Sequence, residues 1–237
     1  FVVFIAFSAQ AQTMQVKGRY LYTAAGEKVV LRGVNEMFIW SKDKSGKNIL
    51  PEIAKTGANS TRLVWTTMGD PATLDSLLFN CIQNKMIPIV ELHDATGNWD
   101  KFQLCLDYWK RSDVKAVMDK HHKWVLLNIA NEVGKVTPND TFRTRYIDAV
   151  IQLRSAGYKV PLMIDAANWG QDENNITATW QEIVKADELK NTLFSVHTYW
   201  AKDAQKRLDV LVKKVVADTI PLLFAEAPQP KVGPNCS

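Results

Sequence analysis

Short apolar runs separated by longer amphipathic stretches recur along this chain of 237 residues. The runs begin near Leu31, Ser60, Ile87, Val125, Pro161, Leu193 and Pro221, at successive intervals of 29, 27, 38, 36, 32 and 28 residues. An apolar run of this kind, closed by polar residues, reads as a strand buried on both faces. Between the runs, the spacing predicts helices over Ile49–Thr56, Thr73–Asn84, Ser112–Lys120, Asp140–Ala156, Trp180–Asp187 and Ala201–Ala217. The fourth is the clearest: Asp140 suits the N-cap, and Tyr146, Ile147, Val150, Ile151 and Leu153 share one apolar face. A short hairpin from Lys17 to Val30, turning at Ala25-Gly26, precedes the first run.

Strand and helix alternating about every 30 residues build a parallel sheet from βαβ units. Seven units with no change of composition predict one α/β domain, a TIM (β/α)8 barrel, rather than an open doubly wound sheet. No Gly-rich phosphate loop follows the first run, which disfavours a nucleotide-binding sheet. Only eleven residues follow Glu226 (237 − 226 = 11), so the barrel is expected to be truncated after its seventh strand.

With 46% hydrophobic and 23% charged residues, the composition is that of a globular chain with a large core. The net charge of +4 comes from 29 basic residues dispersed among 25 acidic ones, a pattern that excludes nucleic acid as the expected partner. At the N-terminus, the apolar Phe1–Phe7 leads into Ser8-Ala9-Gln10-Ala11-Gln12, with small residues suited to cleavage after Ala11. Residues 1–11 therefore read as the remnant of a secretory signal, and the protein is expected to be secreted. The stretch is too short for a membrane span, so no membrane association is expected. Export makes Cys81 and Cys105 candidates for a disulfide, leaving Cys236 without a partner.

The chemistry gathers where the runs end. Glu132 closes the run from Trp124, and Glu226 closes the run from Pro221. In a parallel barrel the strand ends form the rim that carries the active site, and Asn35, Arg62, His93, Asn131, Asp165, His197 and Tyr199 fall at the same rim. Buried polar groups need partners, so so many of them on core strands point to a site rather than to stability. Two carboxylates are the minimum equipment for cleaving a glycosidic bond. Trp40, Trp65, Trp99, Trp169 and Trp200 lie at or just past strand ends, where a ring can carry the apolar face of a sugar; Trp169 and Trp200 are favoured. No metal site and no cofactor are expected. His121 and His122 are consecutive on a helical pattern and face apart, and Asp172-Glu-Asn-Asn175 reads as a solvated turn.

The segments Leu31-Arg-Gly-Val-Asn35, Gly57-Ala-Asn-Ser-Thr-Arg62, Val90-Glu-Leu-His-Asp-Ala-Thr-Gly97, Asn128-Ile-Ala-Asn-Glu132 and Ser195-Val-His-Thr-Tyr199, in this order, resemble glycoside hydrolase family 5. The likeness is greatest to its bacterial β-mannanases and runs from about Val16 to Glu226. It implies a retaining hydrolase in which Glu132 is the general acid/base and Glu226 the nucleophile. It further implies that Arg62 keeps the nucleophile ionised, Asn131 bonds the sugar 2-hydroxyl, His197 and Tyr199 flank the nucleophile, and His93 lines the reactive subsite. Residues 12–237 would then be a catalytic domain incomplete at its C-terminus, lacking the strand that brings the family's tryptophan platform.

Two departures bear on the substrate. Ala225-Glu226-Ala227-Pro228 stands where the family usually has Gly-Glu-Phe-Gly, and Val133 where mannanases usually have Trp. The expected function is endo-acting hydrolysis of a β-1,4-linked polysaccharide, mannan or glucomannan, by a protein that is monomeric when complete. An endo-β-1,4-glucanase is the alternative within the family, and an inactive carbohydrate-binding fragment is the alternative of another class. A retaining site requires the two carboxyl groups about 5 Å apart with Arg62 beside Glu226.

Overall fold

The computed structural model describes residues 13–200 and 203–227. The expected signal remnant and Cys236 lie outside the described residues. Seven parallel strands form one sheet in chain order: β4 (Gly33–Glu36), β5 (Ser60–Trp65), β6 (Ile87–Leu92), β7 (Leu126–Asn128), β8 (Leu162–Asp165), β9 (Thr192–His197) and β10 (Leu222–Glu226). Each starts within about two residues of the apolar run that predicted it, and the sheet is a nearly closed barrel.

Helices α1 (Ile49–Lys55), α2 (Pro71–Gln83), α3 (Phe102–Lys110), α4 (Ser112–Lys120), α5 (Asn139–Ser155), α6 (Glu173–Ala186) and α7 (Ala204–Asp218) connect the strands. The expected N-terminal hairpin has a third strand: β1 (Gln15–Lys17), β2 (Tyr20–Tyr22) and β3 (Lys28–Val29) make a small antiparallel sheet.

Side chains on a strand alternate between its faces. Outward residues such as Leu63, Val90, Leu127, Ile164 and Phe194 join the core beneath the helices. Inward residues form layers along the barrel axis. At the bottom, Ile89, Leu126, Met163 and Leu193 pack on Met14 and Leu21, so the antiparallel sheet plugs that end. One step up each strand, Arg62, Glu91, Asn128, Asp165 and Ser195 make a buried polar layer. The strand-end residues lie above it.

Among the described residues no strand pairs β4 with β10, which are the two ends of the sheet. Their approach is bridged by a side chain: Asn35 Nδ2 donates to the Ala225 carbonyl at 3.0 Å.

Several expectations are corrected. Cys81 on α2 and Cys105 on α3 are both free and fully buried. They serve as small apolar core residues, and burial pushes the Cys81 thiol up to about 12. Helix α3 was not anticipated, although Phe102, Cys105, Leu106 and Trp109 give it a buried stripe. On α5, Asp140 sits inside the first turn and Pro138 takes the N-cap position without a side-chain cap. Ile151 is exposed on that helix, while Phe142, Tyr146, Ala149, Val150 and Leu153 are buried.

Helix α6 begins two turns before the Trp180 start that the apolar spacing suggests. The acidic turn is its cap: the Asp172 carboxylate accepts the Asn174 N–H at 3.2 Å. Asn175 is buried and donates to the Thr137 carbonyl and to Asn139 Oδ1.

Candidate active site

Arg62, buried at mid-barrel, organises the site. Its Nε and Nη2 donate to Asn128 Oδ1 at 3.0 and 2.8 Å, and Nη2 also reaches Asn131 Oδ1 at 2.7 Å and Asp165 Oδ2 at 3.0 Å. Its Nη1 donates to Glu226 Oε1 at 2.9 Å. Burial alone would loosen the guanidinium proton, but Asp165, Glu91, Glu226 and Glu132 outweigh it and push the Arg62 pKa up. A planar fork of fixed donors can tie four acceptors at once, which an ammonium cannot.

Glu226 ends β10, and Tyr199, just past β9, donates its hydroxyl to Glu226 Oε2 at 3.0 Å. Burial, then the negative charge of Glu226, pushes the phenol up to about 12, so Tyr199 stays a donor across the ordinary pH range. Each oxygen of Glu226 therefore receives one hydrogen bond. Among the buried carboxylates at this rim, Glu226 has the more open position, with 17% of its side chain exposed.

Glu132 has φ +47°, a left-handed conformation that is strained for a side-chain-bearing residue. Its carbonyl accepts the Gly97 N–H at 2.9 Å, and its own N–H reaches Asp165 Oδ2 at 3.3 Å. These contacts hold the turn that delivers its carboxylate. Glu132 Oε1 lies 2.6 Å from His197 Nδ1. His197 is completely buried and rests on Gly170, where φ is +72° and an added Cβ would fall 2.4 Å from the imidazole Cγ.

Donor atoms of Glu132, His197 and Glu226 all lie within 4.8 Å of one another, so the two carboxylates meet across the mouth. The same three residues are the set that could present ligands to a cation. The Arg62 guanidinium already supplies a fixed positive charge there, 2.9 Å from Glu226.

Asn131 is fully buried, with Oδ1 on Arg62 and Nδ2 on Thr96 Oγ1 at 2.9 Å. His93 is 29% exposed through its side chain and lies edge-on to the Trp40 ring, with centroids 5.5 Å apart. Trp40 and Trp169 are the exposed tryptophans of this rim, at 59% and 43%.

The three other tryptophan candidates pack into the protein. Trp200 is buried, its Nε1 bonded to the Gln171 carbonyl and its ring covered by the Arg207 guanidinium at 4.5 Å. Trp65 is a core residue bonded to the Tyr108 hydroxyl, and Trp99 packs edge-on against Phe102 and Tyr146. Asn35 is exposed, and its Nδ2 donates across the seam to the Ala225 carbonyl.

Sequence reasoning placed Asp165 at the rim but singled out none of Glu91, Asn128 or Ser195. Asp165 accepts from Arg62, from Asn128 Nδ2 at 3.1 Å and from the Ser195 hydroxyl, and so links the layer together. The signal was present in the alternation: each is a polar residue on the inward-facing parity of a strand that is otherwise apolar.

A nearly closed parallel barrel with two carboxylates converging at the strand ends is the architecture of a barrel hydrolase. The model of the cellulase family, glycosyl hydrolase family 5, matches residues 22–227, and the chain belongs to that family. It is 38% identical to a mannan endo-1,4-beta-mannosidase from Salipaludibacillus agaradhaerens over 191 residues, which is 78% of this chain and 61% of the relative. The chain thus spans about three fifths of the length of that relative. Among solved structures, the catalytic domain of a mannanase from Streptomyces sp. SirexAA-E superposes with a TM-score of 0.86 at 27% identity, covering 98% of this chain and 76% of that one. A β-mannanase from Streptomyces thermolilacinus with mannohexaose gives a TM-score of 0.85 at 30% identity, covering 94% and 76%.

Proposed function

We propose that this chain carries the catalytic site of an endo-acting β-1,4-mannanase that cleaves with retention of configuration. The observation that carries the reading is the approach of Glu132 and Glu226 to within 4.8 Å. Retaining glycosidases hold their carboxyl groups roughly 5 Å apart, whereas inverting ones leave roughly 6.5–9.5 Å for a water. Glu226 attacks the anomeric carbon as the glycosidic C–O bond breaks, and Glu132 gives its proton to the leaving oxygen. Glu132 then takes a proton from water, which attacks the same carbon and releases Glu226.

The contacts of the two carboxylates differ in a way that suits these roles: Glu226 accepts from Arg62 Nη1 and from the Tyr199 hydroxyl, which orient it toward the cleft, while Glu132 Oε1 lies 2.6 Å from His197 Nδ1. Mannan as substrate is supported by the curated relative and by the two mannanase structures described above. Trp40 and Trp169 would support mannose rings along the rim. We further infer that residues 12–237 belong to one catalytic domain, that the protein acts as a monomer, and that it is exported, as suits a polymeric substrate.

The test is reducing-sugar release from galactomannan, glucomannan and carboxymethylcellulose, with the anomer of the first product read by NMR. We expect cleavage of both mannans, a β-configured initial product, and no turnover after Glu226→Ala. Preference for carboxymethylcellulose would make the protein an endoglucanase, and an inverted product would remove Glu226 as nucleophile.

A further inference from the structure

Glu91 is a fully buried carboxylate on the inner face of the barrel, one strand-repeat below His93. Its Oε1 lies 3.0 Å from His93 Nδ1, and its Oε2 has no hydrogen-bond partner among the described residues. An unpaired buried carboxylate costs several kcal/mol, so a strand that retains one needs a reason. The nearest full charge in the layer, Arg62, has its donors committed to Asn128, Asn131, Asp165 and Glu226. Among the described residues, His93 is therefore the one group that the Glu91 carboxylate directly contacts by a hydrogen bond. The far side of the His93 ring meets Trp40 edge-on at the rim.

We propose that Glu91 is a positioning residue: by holding His93 Nδ1 it fixes the ring against Trp40 and leaves Nε2 as the atom presented to a substrate hydroxyl. This rests on the glycanase reading for its consequence, not for its geometry. With Nδ1–H donated to Glu91, neutral His93 can only accept a hydrogen bond at Nε2, and protonated His93 can only donate there. The carboxylate thus decides both the orientation of the ring and the pH at which Nε2 changes from donor to acceptor.

The charges around the pair are consistent with this. Burial lowers the His93 pKa, but the hydrogen bond and charge of Glu91, helped by Glu132 and opposed by Arg62, raise it above its ordinary value. Burial likewise pushes the Glu91 carboxyl up, against Arg62 and His93 and with Asp165. Both shifts have the contact between Nδ1 and Oε1 among their causes, so the two groups are electrostatically linked.

The experiment is a 15N-detected imidazole titration of the wild-type protein and of Glu91→Gln, with the His93 signals assigned by their loss in His93→Asn. In the wild type, His93 should titrate above the ordinary histidine value of about 6.5, and its neutral form should carry the proton on Nδ1. In Glu91→Gln the midpoint should fall by about one pH unit or more. The KM for β-1,4-mannan oligosaccharides should rise about three- to tenfold while kcat on an activated aryl glycoside changes less, because the lost element orients substrate and moves no proton of the reaction.

A wild-type His93 that titrates at or below the ordinary value, or whose neutral form is protonated on Nε2, would overturn the proposal even if Glu91→Gln fails to fold. So would a Glu91→Gln protein with an unchanged His93 midpoint and KM. The titration needs no turnover, so a protein that does not cleave mannan would refute the proposed function and leave this assignment standing.

Discussion

Arg62→Met tests whether the buried polar layer is held by one cation. The substitution fills similar space with an apolar chain and removes the guanidinium donors to Asn128 Oδ1, Asn131 Oδ1, Asp165 Oδ2 and Glu226 Oε1. Glu226 loses least, since it lies at the cleft and keeps Tyr199. Asp165 loses most: it is fully buried, and among the described residues it keeps Asn128 Nδ2, the Ser195 hydroxyl and the Glu132 N–H, with His197 Nε2 farther off at 3.7 Å. Breaking one side of a buried pair costs about 3–5 kcal/mol, a large share of a typical total of roughly 5–15 kcal/mol. With a urea slope near 3 kcal/mol per molar, the unfolding midpoint should fall by about 1–1.7 M. The double variant Arg62→Met/Asp165→Asn separates the causes. It leaves no unpaired charge at position 165, so its loss should be smaller than the sum of the single losses by about 1–3 kcal/mol. A midpoint shift for Arg62→Met below about 0.3 M, or strictly additive losses, would refute the idea that Arg62 and Asp165 stabilise one another.

Three further outcomes follow from particular contacts. Tyr199→Phe removes the hydroxyl donated to Glu226 Oε2 and should lower kcat/KM about tenfold, or about 1.4 kcal/mol, with little change in melting temperature because Tyr199 is 46% exposed; unchanged kinetics would remove it from the site. At the barrel bottom, burial raises the Asp187 carboxyl, but the bidentate Arg154 pair at 2.8 and 2.9 Å and Thr192 outweigh it and hold the group below the usual carboxylate range. Its folded value lies under its unfolded one, so its contribution is complete above about pH 4 and fades as pH falls through the folded value. Asp187→Asn should therefore cost most at pH 7 and progressively less toward pH 3 in urea midpoints, and a pH-independent loss would contradict the sign. Finally, Cys81 and Cys105 should both react with a thiol reagent in denaturant and scarcely at all in the native state, and reductant should leave the melting temperature unchanged.

The repeat of apolar runs was enough to place the seven strands, because a parallel strand covered by helices keeps most of its positions apolar even where single inward residues such as Glu91 and Asp165 are polar. Glu132 and Glu226 were legible for a related reason: each interrupts such a run at its C-terminal end, where only the rim can receive a carboxylate. Elements whose amphipathic stripe is short or broken by charges were not legible, as with α3 and the first two turns of α6. A capping carboxylate such as Asp172 looks the same in sequence as a solvated one.

What the chain's own pattern determined is therefore the succession of the strands and the residues that fall at their ends. What only the tertiary structure decided is which of those residues touch. Trp40 and Trp200 occupy similar positions past their strands, yet the first is exposed beside His93 and the second lies under Arg207. Cys81 and Cys105 have a spacing that permits a bridge, but each is turned into the helix-side core as a free thiol. Arg62 draws Asn128, Asn131, Asp165 and Glu226 together from separate strand units between 66 and 164 residues away. Contacts over such separations depend on barrel curvature and strand register, and a one-dimensional pattern of polar and apolar positions carries neither quantity.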